Sequence, residues 1–133
     1  MLRIFFSIMV MITMSNAYAL DAREAKINLI NDYAKCYVFW NIAEQGAPNP
    51  NDTYTKNVQK HAEYSLAMGL ELTKDIKAKE ESFLASIKNM TKFLGKEMGA
   101  DYANFSILTS KYLDLCVSLS KGPEERYLYW LSQ

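Results

Sequence analysis

Residues Ile27–Asn41 read INLINDYAKCYVFWN, and this stretch decides the fold. Ile27, Ile30, Tyr33, Ala34, Tyr37, Val38 and Asn41 recur at steps of three and four. That is the period of one face of an α-helix, and only Asn41 among them is polar. Leu29, Cys36, Phe39 and Trp40 widen the face, so the second half of this helix is expected to be buried on more than one side. No Val/Ile/Thr-rich run with period two, the mark of a half-buried strand, occurs anywhere in the sequence. The chain therefore reads as all-α.

Upstream, the helix is expected to start near Asp21 as its N-cap. Downstream it reaches Gln45, where Gly46-Ala-Pro-Asn-Pro50 stops it. Gly46 suits the left-handed position after a helix, and two prolines forbid continuation. Asp52 is the expected N-cap of a second helix, whose stripe is Tyr54, Val58, His61, Ala62, Ser65, Met68, Gly69, Leu72 and Ile76. The nearly all-polar stretch Thr73–Glu81 places a turn near 74–80, although no glycine or proline marks it. One continuous helix over 53–98 would be ~69 Å long and would outreach its partners. Phe83, Ile87, Met90 and Leu94 mark a third helix, framed by Gly95 and Gly99. Asp101 can cap a fourth that carries Phe105, Leu108, Tyr112, Leu115, Cys116 and Leu119. Lys121-Gly-Pro123 ends it, and Pro123-Glu-Glu125 opens a last turn or two. The expectation is a single-domain four-helix bundle-like fold.

Cys36 and Cys116 are the only cysteines. A widely spaced even pair in an oxidising compartment is expected to form one bridge. Aligning Cys36, deep in the first helix, with Cys116, near the end of the fourth, leaves the first ~10 residues of the first helix overhanging. The C-terminal Tyr127, Leu128, Tyr129, Trp130 and Leu131 emerge at that end and can cover it.

The compartment is read from the N-terminus. Arg3 precedes an apolar run from Ile4 to Met14, and a polar break at Ser15–Asn16 leads to Ala17-Tyr-Ala19. This is the layout of a secretory signal with an A-x-A cleavage site, and the run is shorter than the ~20 residues that span a bilayer. Residues 1–19 are expected to be removed, with Leu20 the first mature residue, 20–133 the helical domain, and the protein periplasmic or secreted without stable membrane insertion. Fifteen basic and fifteen acidic residues balance. No basic excess favours nucleic acid, and no polybasic cluster favours anionic lipid.

Motifs of catalysis are missing: no G-x-S-x-G, H-E-x-x-H, glycine-rich phosphate loop or C-x-x-C-H occurs. One histidine, His61, excludes histidine-rich metal sites. No catalytic residue, metal site or cofactor is expected. Glu63, Glu71, Asp75, Glu80, Glu81, Glu124 and Glu125 lie among lysines, as on a solvated helix face. The three N-x-S/T sites at Asn51, Asn89 and Asn104 are read as chance.

Two binding surfaces stand out. Arg126, Tyr127, Tyr129 and Trp130 combine the residue types that dominate protein interfaces, either as a docking element for a partner or a second copy, or as cover for the overhang. Trp40, His61, Tyr64 and Met68 would line an interhelical pocket for haem or an acyl chain, with Met68, Met90 or Met98 as the partner ligand to His61. The bundle, signal and cysteine pair are similar in outline to short exported helical proteins of Gram-negative bacteria and their phages, including small inhibitor and immunity proteins. The leading expectation is an envelope protein-binding module, with homodimerisation compatible. The alternatives are a haem or lipid binder and a small envelope hydrolase.

Overall fold

A computed structural model of the chain describes the backbone of residues 2–47 and 49–133 and the side chains of 22–47 and 49–133. The expected signal segment and its cleavage residues Ala17, Ala19 and Leu20 lie outside the described side chains. Five α-helices follow in order: α1 (Leu2–Gln45), α2 (Thr53–Asp75), α3 (Glu80–Glu97), α4 (Phe105–Leu119) and α5 (Glu124–Leu131). Among the described residues there is no strand, and no helix is long and apolar enough to cross a membrane. The helix expected to start at Asp21 has no break there. No glycine or proline precedes Gly46, so nothing in the chain interrupts α1.

α1 is the central post, and each of the other four helices packs on it. Its buried face is centred on Leu29, Tyr33, Cys36, Phe39, Trp40 and Ala43. The residues expected to widen the stripe are thus its middle, while Ile27 is exposed. Against this bulky face α2 buries small ones: Thr55, Val58, Ala62, Ser65, Gly69 and Thr73. Tyr54, expected on the stripe, points to solvent. Gly69 lies under the fully buried ring of Phe83, and a Cβ there would sit 2.0 Å from Phe83 Cζ. Gly69→Ala gains about 1 kcal/mol of helix propensity but overpacks a closed site, which costs about 1–3 kcal/mol. The expected net result is a loss of about 1 kcal/mol by urea titration; a stabilised variant would show that Phe83 has room to move.

Both ends of α2 follow local chemistry. Asp52 caps the start, its Oδ1 accepting from Thr55 N–H at 2.7 Å, which holds the carboxyl below the usual carboxylate range. At the other end Ala78 N–H donates to Thr73 O and Lys77 N–H to Lys74 O, with Lys77 at φ 57°. This is the six-to-one and five-to-two closure of a left-handed cap, built on lysine. α3 closes the same way on Gly99, with Ala100 N–H to Gly95 O and Gly99 N–H to Lys96 O. Asp101 then accepts from Ala103 N–H, capping a single 3-10 turn (Tyr102–Asn104) that leads into α4 rather than capping α4 itself. Gly46 is not in the left-handed region. It is required by close approach instead, because a Cβ there would fall 1.7 Å from the Tyr102 hydroxyl.

The Cys36–Cys116 disulfide joins α1 to α4 with their Cα atoms 5.2 Å apart. α4 buries fully only Leu108, Cys116 and Leu119, and Phe105, Tyr112, Leu113 and Leu115 pack partly buried beside them. Glu97 fastens α4 to α3: it accepts from Lys111 Nζ at 2.8 Å and from Tyr112 Oη at 2.7 Å. These bonds lower the Glu97 carboxyl pKa, while burial first, and then Glu97, push the Tyr112 phenol up to about 12.

Candidate functional site

The site is built on Asp32, an acid placed between Ile30 and Tyr33 on the α1 face that α5 covers. Its side chain is 4% exposed. Burying a carboxylate is costly unless every lone pair finds a donor, and α5 supplies two. Arg126 Nε and Trp130 Nε1 each donate to Asp32 Oδ2 at 2.7 Å. Lys35 Nζ stands 3.8 Å from Oδ1. Arg126 and Trp130 are four residues apart, so one helical face delivers both donors to one oxygen. The Arg126 guanidinium also lies over the rings of Tyr129 (4.2 Å) and Trp130 (4.7 Å), an arrangement that stiffens the fork and lends it cation–π attraction.

Around this clamp, Tyr127 and Trp130 pack against the main core. Trp130 also borders a cleft of about 390 Å³ with Glu24, Ala25, Asn28, Leu131 and Gln133. The tail thus lies against residues 24–32 of α1, within or next to the stretch that the overhang argument leaves for it to cover. Away from the clamp α5 exposes Leu128 at 64%, with Tyr129 at 44% and Leu131 at 38% on the two edges beside it. Beside it, Leu115 and Ser118 of α4 and Glu125, Arg126 and Tyr129 of α5 line a shallower cleft of about 240 Å³. Of the four tail residues singled out from sequence, Arg126, Tyr127 and Trp130 therefore face inward. Tyr129 is the most exposed of the four.

Asp32 was not among the residues that sequence reasoning singled out. The available signal was its position: an acid flanked on its own helix by Leu29, Ile30, Tyr33 and Cys36 needs a buried cation. Arg126 lies in the segment already expected to cover that end.

The second candidate group sits at the α1–α2 contact. Trp40 stacks on His61 with centroids 4.8 Å apart, and Tyr64 meets Tyr33 edge-on at 6.4 Å. Met68 and Met90 pack against the core, and Met98 is buried within it. The four side chains fill the interface, and neither cleft beside α5 involves them. The Tyr33 hydroxyl donates to Leu119 O at 3.2 Å, and its pKa is raised by burial. Among the described residues no group of three or more His, Cys, Asp and Glu is disposed to hold a metal ion. No protein-family model, curated protein or solved structure matches this chain.

Proposed function

We propose that this chain is an exported protein-binding module of the cell envelope, of the inhibitor or immunity type, and that α5 presents its contact face. The observation that carries this reading is the two-sided character of α5. Its inner face is anchored by Asp32, Arg126 and Trp130, and its outer face offers Leu128, Tyr129 and Leu131 on a helix already held in place. A preorganised apolar and aromatic face binds with little further ordering cost, and such residues supply interface hot spots. The disulfide and the signal-like N-terminus support export to a periplasmic or extracellular location.

The test is gentle non-reducing isolation of the tagged protein from the envelope fraction, followed by native mass spectrometry, for wild type, Leu128→Asp and Tyr129→Ala. The expected result is a stoichiometric second protein with the wild type and about a tenfold or greater loss of it with each variant. The melting temperature should barely change for Leu128→Asp, because surface positions of this kind shift stability by about 0.5 kcal/mol or less. It should fall modestly for Tyr129→Ala, which removes the ring under Arg126, a contact of about 0.5–1 kcal/mol. Retention of the partner by both variants would remove α5 from the interface. A lone chain carrying extra non-protein mass would replace this reading with that of a ligand carrier.

A further inference from the structure

α3 turns a second face outward, and its charges are segregated. It buries Phe83 and Leu94 completely and packs Ile87 and Met90 against α1 and α2. On the opposite side Lys88, Lys92 and Lys96 are exposed and follow one another at four-residue steps, about 6 Å apart along the axis. Among the described residues none of the three has a carboxylate within 4.0 Å; the lysines that do are Lys26, Lys35, Lys74 and Lys111. The carboxylates of α3 itself do not compensate them. Glu97 is turned to Lys111 and Tyr112, Glu80 pairs with Lys74, and Glu81 lies seven residues before Lys88, about 10 Å along the helix. Like charges at this spacing destabilise a helix. The dipole excuses Lys96 at the C-terminal turn but neither Lys88 nor Lys92. Leu84, 54% exposed, continues the row one four-residue step towards the N-terminus, and Phe93, 45% exposed, lies to one side of it.

We propose that this face docks an acidic helical segment of a partner protein. A helix carrying carboxylates at every fourth position repeats at the same 6 Å or so, so its acids can meet Lys88, Lys92 and Lys96 in one register while an apolar residue one step further along meets Leu84. Complementary charge rows of this kind fix register and accelerate encounter. A bilayer fits the face less well. Three lysines fall short of the four to eight of a lipid-binding cluster. Leu84 and Phe93, nine residues and so half a turn apart, do not form one insertable face. The face is on a different helix from α5, and the proposal stands or falls independently of the role of α5.

The test titrates the isotope-labelled, disulfide-bonded full chain with a synthetic capped helical peptide bearing Glu at every fourth position and Leu one step further along the row. A control peptide has the same composition with the Glu spacing scrambled. Amide shifts should be confined to residues 84–96, affinity should fall between about 20 and about 200 mM salt, and the scrambled peptide should bind about tenfold more weakly. Lys92→Glu should weaken binding by about tenfold or more without unfolding, since it creates favourable four-residue pairs with Lys88 and Lys96. Leu128→Asp should bind the peptide like wild type. Equal binding of both peptides, shifts outside α3, or an unaffected Lys92→Glu would overturn the proposal. So would co-sedimentation with phosphatidylglycerol vesicles in the absence of peptide binding.

Discussion

Replacing Cys36 by Ser is expected to lower the stability of the chain by about 4.5 kcal/mol, Cys116→Ser by the same amount, and the double variant by no more than either single. The bridge spans 80 residues of sequence, so its main effect is to remove closure entropy from the unfolded chain, and the figure of about 4.5 kcal/mol is that entropy at this loop length. The folded side adds to the expectation. α4 has few fully buried residues apart from Cys116 itself, so without the bridge it keeps Leu108 and Leu119, the partial packing of Phe105, Tyr112, Leu113 and Leu115, and the Glu97 contacts with Lys111 and Tyr112. Urea unfolding of the three variants, with the wild type in reducing and non-reducing buffer, decides the matter. Reduced wild type should coincide with the double variant. Losses that add would mean that each sulfur contributes by packing and not through the bond.

How much of this was legible follows from which residues obey local rules. The all-α class, the bridge and the separate α2 and α3 could be read from periodicity, cysteine arithmetic and helix length. The end of α2 could not be placed from its residues, because the left-handed cap that closes it uses Lys77 where α3 uses Gly99; only tertiary context makes a lysine acceptable there. Gly46 misled in the opposite direction. Its glycine answers to Tyr102, far away in sequence, and not to its own φ. The α1 stripe was legible: Ile30, Tyr33, Ala34 and Val38 are buried, while Ile27 is exposed, and Leu29 and Phe39 move to its centre because α2 offers small residues at Ala62, Ser65 and Gly69. Asp32 is legible only from the apolar face around it, because an acid in a helix otherwise reads as solvated. The aromatics of the tail were found by composition, but which of them point inward depends on that same acid.

Asp32→Ala is the change that tests this arrangement, and its expected cost is about 3 kcal/mol. Breaking a fully buried pair by removing one partner costs about 3–5 kcal/mol. Here the low end applies, since the Arg126 side chain is 24% exposed and can turn towards water. Trp130 Nε1 has less freedom, as the ring packs against the core. The loss should be local first. α5 has no fully buried residue, so its hold on α1 combines partial packing with the clamp, and it should open below the global transition. Hydrogen exchange should therefore speed up at residues 124–131 in Asp32→Ala while the α1–α2 amides stay protected, and the fluorescence of Trp130, followed in a Trp40→Phe background, should shift to that of a solvated indole. Trp130→Phe keeps the packing and removes one donor, so it should cost about 1 kcal/mol and leave α5 docked. If the partner-binding face is α5 in its docked form, Asp32→Ala loses binding although Leu128, Tyr129 and Leu131 are intact, and Trp130→Phe retains it. Unchanged exchange at 124–131 in Asp32→Ala would show instead that Tyr127 and Trp130 hold α5 by packing alone.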